Sequence, residues 1–542
     1  MFSAIHNTKN ISSKRVSLIK VSNKLDLCLN VLIFLFIFIR VFGFWFIPNG
    51  VNQDEAMNAV DALSLSRYGT DRFGTFLPAH LVGWEVGQQS SLMSYLEVPF
   101  IWLFGFNIFS IRLPMVVMGL LGCFCVCLLT KKLFNGTYAK IALLLALSYP
   151  PLFTASRWSL DCNLLPHFFI IGFTFLVFGL EKKKYLYISM IFFAACMYSY
   201  GLAFYCVTIF LLIACIVLFI NKKINIKDII LCLLIYFGLS WPIYLTMFVN
   251  FMGWNTISLP FVTIPSFSKS TRASDILFFS QDFLSDFLNN LKHLFLTLFF
   301  QGSTITLTGL LSVPLMIFGL IYSFQQAKKK NISYKLLLCW FFSCIFLGLL
   351  VYCEVIYRIN RINIIYYLNV VLSIMGIYYI FKIFQKNIKE ILFLSLTAIV
   401  VVVQSTSFFF SYFINTGVVE PSWFFGNFSN AISYATEINP NYYYIENVSF
   451  PNVDNDSDIS IGQILTMYVQ EMDMPYYTGK TDFFMDKSIP YKERYTFISG
   501  DNFSVNKNKD IVYVVNVSAA DKFDESFERK DFGSFCVFSL KH

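Results

Sequence analysis

Charge is the scarcest resource in this 542-residue chain: only 14% of its residues are Asp, Glu, Lys or Arg, against about 25% in an ordinary soluble domain. Histidine occurs five times. No CxxC pair or zinc-type ligand spacing is found, and the Walker, GxSxG and HExxH patterns are missing. These absences weigh against nucleotide hydrolysis, serine hydrolysis and zinc peptidase chemistry. What replaces charge is apolar and aromatic material, at 56% and 19% of the chain, including 63 Phe and 30 Tyr. With a mean hydropathy of +0.62, that excludes a single soluble domain and a disordered chain. Most of the 13 cysteines, such as Cys123, Cys125 and Cys127, lie in apolar runs, where they serve as small hydrophobes. Only Cys536 falls in the polar C-terminal part, so a disulfide-stapled module is excluded as well.

The formal charge of +8 sits in short Lys and Arg clusters between apolar runs. That is the mark of inward-facing membrane loops rather than of a nucleic-acid partner. Five basic residues (Lys9, Lys14, Arg15, Lys20, Lys24) precede a run over about 25–47, too long for a signal peptide and without a small-residue cleavage site. Crossing hydrocarbon takes about 20 mostly apolar residues. Such runs lie near 26–47, 112–130, 138–156, 163–180, 185–201, 202–220, 228–249, 308–326, 332–352, 363–381 and 390–413. The reading is a polytopic α-helical membrane protein of about eleven spans in the plasma membrane, with its N-terminus inside. A basic cytoplasmic stretch covers 1–24, and the transmembrane domain covers 25–413 with outer loops at 48–111 and 250–307. A small extracytoplasmic α/β domain follows at 414–542, where strand-like Arg494–Ile498 and Asp510–Val517 bracket helical Ile459–Met472. Leu92–Gly105 and Phe283–Phe300 would invert the basic loops if they crossed, so they are expected as helices on the outer face.

Polar residues able to do chemistry are confined to the outer side. Asp54 and Glu55 follow the first span at the start of a short helix whose Ala56, Val60, Leu63 and Leu65 would lie along the interface. A carboxylate half-withdrawn from water there is suited to taking a proton, although a helix-start carboxylate is also simply favoured by the dipole. In SYPPLFTASRWSLDCNLLPHF, Arg157 and Asp161 stand four apart and could pair on one helical face. Arg157 could equally hold a phosphate or snorkel. Arg358 and Arg361, with Glu354, Asn360 and Asn363, break the positive-inside bias and could bind phosphate at headgroup level. Glu85 could join His80, His167 or His293 at a divalent metal, whose participation stays open.

The order of three pieces is similar to the multispanning GT-C glycosyltransferases, specifically the protein mannosyltransferase-like group (glycosyltransferase family 39 and bacterial relatives such as the lipid A aminoarabinose transferase). The pieces are a first span followed by Asp54-Glu55, then LMSYLEVPFIWLFGFNIFSIRLP, then SYPPLFTASRWSLDCNLLPHF. The resemblance covers about 30–220, and RINRINIIYYL looks like a late segment of bacterial members. It implies transfer of a sugar from a polyprenyl-phosphate donor to a glycan, lipid or protein acceptor on the outer face of the bilayer. Asp54 would then be the general base with Glu55 beside it, Arg157 a holder of the donor phosphate and Asp161 its support, with Arg358 and Arg361 as further phosphate ligands. Where relatives carry Lys-Pro-Pro or Glu-Lys-Pro, this chain has Gln88-Gln89-Ser90-Ser91. An envelope polysaccharide ligase or polymerase with a diphosphate-linked donor, and a transporter or flippase, are the competing readings. Against transport, ionisable residues inside the spans are sparse, Arg40 being the main exception.

Overall fold

The computed structural model describes residues 24–83, 87–267, 277, 280–299, 306–351, 359–417, 423–448, 461–498 and 503–541. In hydrocarbon the backbone must satisfy its own polar groups, and the apolar runs accordingly form helices. In chain order these are α1 (24–41), α2 (Gln53–Tyr68), α3 (Leu92–Phe104), α4 (Ile108–Leu133), α5 (Gly136–Ser148), α6 (Pro150–Ala155), α7 (Leu164–Gly179) and α8 (Lys183–Met197). They continue with α9 (Ala203–Ile220), α10 (Ile226–Met252), α11 (Phe283–Phe299), α12 (Thr306–Lys328), α13 (Ile332–Leu350), α14 (Ile365–Phe384) and α15 (Glu390–Gly417). Helix occupies all eleven expected runs. Among the described residues seven are long and apolar enough to cross a membrane: α4, α7 with the turn before it, α9, α10, α13, α14 and α15. The chain is thus a multi-pass membrane protein.

Two boundaries differ from expectation or test it. The run at 138–156 is broken: Tyr149 is extended and Pro150-Pro151 restart the chain as α6, because a residue before proline is pushed out of the helical region. The turn expected at Tyr200-Gly201 is present, with the Ala203 N–H donating to Tyr200 O at 2.9 Å. Helix α3, with 13 residues, reaches about 20 Å, short of the roughly 30 Å hydrocarbon core. Its Trp102, Leu103 and Phe104 are exposed, as befits an interfacial helix.

The bundle closes around α7, α13 and α14. Trp340 is fully buried with its ring 5.1 and 4.8 Å from those of Phe169 and Phe173. Helices α12 and α14 touch backbone to backbone. A Cβ on Gly319 would sit 2.0 Å from Leu372 O, and one on Gly376 2.0 Å from Leu315 O, the small-residue packing that membrane helices favour.

Four short strands precede the C-terminal part: β1 (Leu81–Gly83) pairs with β2 (Gly87–Gln89), and β3 (Ile257–Leu259) with β4 (Val262–Ile264). The C-terminal part adds α16 (Gly426–Ile438), β5 (Tyr442–Glu446), α17 (Ile461–Val469), the hairpin β6 (Phe483–Phe484) and β7 (Lys487–Ser488), then β8 (Tyr495–Ile498), β9 (Ile511–Asn516), β10 (Phe527–Phe532) and β11 (Phe535–Leu540). One sheet runs in the order β10-β11-β9-β5-β8. Strand β5 lies parallel to both neighbours, while β9, β11 and β10 are antiparallel. The central β9 buries five consecutive residues, which a strand covered on both faces requires. The expected α/β character is confirmed.

One finding bears on everything that follows. The apolar face of α2 is covered by protein. Val51, Ala56, Met57 and Val60 share one apolar core with Phe428, Ile432, Leu465 and Val514 of the C-terminal part. The C-terminal part covers a face that the sequence reading assigned to the interface, and apart from Asp54 every residue from Gln53 to Leu65 is buried.

Candidate active site

The start of α2 is fixed from several directions. Asn52 caps it, accepting the Asp54 N–H at Oδ1 (2.9 Å) while its Nδ2 donates to Trp423 O (2.7 Å). The Phe425 N–H donates to Val51 O at 3.2 Å. Gly50, at φ +85°, lets this happen: a Cβ there would stand 2.4 Å from the Gly426 nitrogen, and the conformation itself is one that side chains resist.

Glu55 is fully buried and saturated. Its Oε1 accepts from Arg112 Nε (2.7 Å) and the Ser159 N–H (2.9 Å). Its Oε2 accepts from Arg112 Nη2 (2.8 Å) and the Asn52 N–H (3.4 Å). Arg112, equally buried, donates onward to the carbonyls of Phe44, Pro48 and Gly50 at 3.2, 3.0 and 2.7 Å. The oxygens of Glu55, expected beside the base, are occupied by the ion pair and hydrogen bonds that tie α2 to α4 and to the 156–160 turn. Asp54, half-buried, is the member of the pair that keeps access to solvent, and the helix N-terminus favours its ionised form.

Beside α2 four chain segments are tied together. Asn58 donates to Ser159 O (2.8 Å) and accepts from Gln89 Nε2; Ser94 Oγ donates to Asn58 O (3.0 Å). The Ser90 N–H donates to Asp161 Oδ2 (3.1 Å). Asn363 Nδ2 donates to Cys162 O (2.6 Å), which seats the turn Ile359–Ile362, carrying the half-buried Arg361, against the turn Asp161–Asn163. Asp161 and Arg361 are thus carried by neighbouring turns.

Arg157 is placed differently from the expectation. Helix α6 ends at Ala155, so residues 157 and 161 do not share a helical face. The buried Arg157 guanidinium donates to the carbonyls of Arg40 (2.8 Å), Phe42 (2.9 Å) and Ile47 (3.3 Å) and lies against Phe153, Tyr412 and Phe413 at 5.2–5.5 Å. Arg40 does the same for Leu147 O and Leu152 O (2.8 and 2.6 Å). Where α1 and α5 break off, buried carbonyls lose their helical partners, and a lost buried bond is costly. These arginines supply the donors, so the role expected of Arg157 at a donor phosphate has no support in this geometry. Arg358, Glu85 and Glu354 lie outside the described residues. His167, in the first turn of α7, is buried with Nδ1 2.8 Å from Tyr367 Oη. Among the described residues no group of three or more His, Cys, Asp or Glu stands together as a metal cage.

Sequence reasoning missed three buried ionisable groups. Arg112 carried a signal, a lone arginine where an apolar run begins. Glu97 of α3 is wholly buried, and neither carboxyl oxygen has a hydrogen-bond partner among the described residues; nearby Ser159 gives its hydroxyl to Ile111 O (2.5 Å). Burial first, and then the Glu55 charge, hold the Glu97 carboxyl well above the usual range. Asp61, one helix turn on from Asn58, is raised to about 7 by burial despite its ion pair with Arg72 (2.5 Å).

With this geometry in view, comparison with known proteins identifies the fold, which is that of GT-C glycosyltransferases. Residues 89–244 match the dolichyl-phosphate-mannose-protein mannosyltransferase family. Among solved structures, the chain is similar to ArnT from Cupriavidus metallidurans bound to undecaprenyl phosphate, with a TM-score of 0.53, 10% identity and coverage of 95% of this chain and 97% of that one. The apo state of the same protein gives 0.53 and 11%, covering 96% and 98%. The Archaeoglobus fulgidus oligosaccharyltransferase, in complex with Zn and sulfate, gives 0.50 and 14%, covering 77% of this chain and 59% of that one, so this chain spans about three-fifths of its length. No curated protein matches the sequence.

Proposed function

We propose that the protein transfers a sugar from a polyprenyl-phosphate donor to a hydroxyl of a cell-envelope glycan, lipid or protein, with Asp54 as general base. The observation that carries the reading is the division of labour in the Asp54-Glu55 pair. Glu55 is consumed by the buried network that positions α2, and Asp54, at the second position of the helix, keeps contact with solvent. Asp54 takes the proton from the acceptor hydroxyl as that oxygen bonds to the anomeric carbon. The carbon–phosphate oxygen bond breaks, its electron pair leaves with the lipid phosphate, and the anomeric centre inverts. General-base help of this kind is worth about 10²–10⁴-fold.

The donor class is supported by the likeness in fold to a protein that binds undecaprenyl phosphate. Arg361, beside the Asp161 turn, is the cation assigned to the leaving phosphate, where charge-assisted bonds stabilise the developing anion. Arg358 is kept as a second phosphate ligand. The basic clusters orient the N-terminus inside and the C-terminal part outside, where a lipid-linked donor serves and no nucleotide sugar is required.

Purified protein given radiolabelled polyprenyl-phosphate sugars and envelope extract tests this. Wild type transfers label, and Asp54→Asn loses at least 100-fold while melting as wild type does. Full activity in Asp54→Asn removes Asp54 from the reaction. Wild-type inertness across the monophosphate panel, with transfer from diphosphate-linked oligosaccharides, refutes the donor assignment.

A further inference from the structure

A hollow lies away from the candidate site. Helix α8 approaches the site at its C-terminal end, where the Leu92 N–H donates to Tyr198 O at 3.0 Å; its N-terminal end therefore points away from the site. Between α8, α9 and α10 at that far end is a cavity of about 300 Å³, lined by Leu186, Met190, Leu211, Leu218, Leu233, Phe237 and like residues. The lining runs along α9 from Thr208 to Leu218, a length of about 15 Å. It offers no hydrogen bond to a ligand. Its two hydroxyl-bearing residues, Thr208 and Tyr236, are both engaged with Tyr244 Oη, at 3.1 and 3.0 Å. The slot opens on the outside of the bundle, where its Leu212, Leu233 and Phe237 are exposed, so in a bilayer hydrocarbon rather than water fills it.

The chain segments at this end are basic. Lys182, Lys184, Lys222, Lys223 and Lys227, all exposed, stand within a few residues of the lining positions Leu186, Ile224 and Ile229. The two acids among them are engaged: Asp228 with Lys183, which joins the starts of α8 and α10, and with Tyr187 Oη (2.9 Å), and Glu181 with Lys132 (2.8 Å). A long apolar slot whose flanking segments carry five exposed lysines matches a molecule with one extended hydrocarbon tail to bury and an anionic head. We infer that this cavity is a binding site for an anionic phospholipid, in the leaflet opposite the active site, with one acyl chain in the slot and its phosphate on the lysines. It is separate from the donor site.

Native mass spectrometry of delipidated protein titrated with phosphatidylglycerol, phosphatidylcholine and undecaprenyl phosphate tests the assignment. Phosphatidylglycerol binds at least tenfold more tightly than phosphatidylcholine. The Lys222→Gln, Lys223→Gln, Lys227→Gln triple variant, altered only at exposed positions, erases that preference. Cys215→Phe, which fills the slot, weakens both phospholipids. Equal binding of the two phospholipids by wild type overturns the inference, as does an undiminished preference in the triple variant. Binding of undecaprenyl phosphate that Cys215→Phe abolishes, at higher affinity than phosphatidylglycerol, overturns the choice of occupant.

Discussion

Glu55→Gln separates positioning from catalysis in the Asp54-Glu55 pair. The carboxylate accepts four hydrogen bonds, two of them from Arg112, and both partners are sealed from solvent. Glutamine keeps the shape but has one acceptor oxygen, and its NH₂ would point at a guanidinium or a backbone N–H that also donates. Arg112 stays charged and buried with only carbonyl dipoles for company. Removing one partner of a buried pair costs about 3–5 kcal/mol. In a cooperative unit of a few hundred residues that is on the order of 5–10 °C in melting temperature. Intrinsic fluorescence melting in detergent reads it directly, and folded Glu55→Gln loses transfer because the helix carrying Asp54 is no longer held. Removing both charges, as Glu55→Met with Arg112→Met, restores part of the lost stability. A Glu55→Gln protein that melts like wild type and yet transfers nothing would falsify this account, because Glu55 would then be acting on the substrate.

Three further outcomes follow from the same geometry. Glu97 holds its proton in the folded state and, unfolded, releases it near the ordinary carboxylate value of about 4.3. The native state thus binds the extra proton, and stability is lost as pH rises above that value. Glu97→Gln should gain steadily on wild type in melting temperature between pH 5 and pH 8, and parallel curves would show that Glu97 is charged when folded. Gly50→Ala forces a Cβ to within 2.4 Å of the Gly426 nitrogen at a positive φ, so limited proteolysis should release the C-terminal part early; an unchanged digestion pattern would mean that this contact is dispensable. Arg361→Ala should raise the KM for the lipid donor by about 10–100-fold, the worth of a charge-assisted bond, with Lys recovering part of it. An unaltered donor KM in Arg361→Ala takes the phosphate away from Arg361.

What could be read in advance depended on how local the cause was. Spans are legible because twenty apolar residues between basic clusters have one solution in a bilayer, and all eleven runs are helical where expected. The break at Tyr149 was equally local, written in Pro150-Pro151, but it was hidden by an apolar run that looked continuous. The strands Tyr495–Ile498 and Ile511–Asn516 announced themselves through clustered Tyr, Val and Ile. The fate of α2 could not be read this way. Its alternation of small and polar residues fits an interfacial helix as well as a helix clasped on both faces, and only the docking of Phe428 and Leu465, some 400 residues on, decides between them.

The same distinction governs the site. Asp54 was singled out because it is a carboxylate just beyond a span, a feature of a few adjacent residues. The surroundings of Arg157 were not legible because its partners are backbone carbonyls of residues 40–47, and carbonyls carry no signature in a sequence. Arg40, Arg112 and Arg157 have one requirement in common: α1 and α5 stop while still inside protein, and each stop leaves acceptors that water cannot reach. A buried arginine near a broken apolar helix is therefore first a donor to that break, and it becomes a candidate for substrate phosphate only when its guanidinium has bonds to give. By that criterion Arg112, bonded to Glu55 and to three carbonyls, is framework, whereas Arg157 gives both Nη groups to carbonyls and has no partner at Nε among the described residues. Arg361 stands half-buried on the turn packed against the Asp161 turn, and the donor KM of Arg361→Ala decides whether it meets the phosphate.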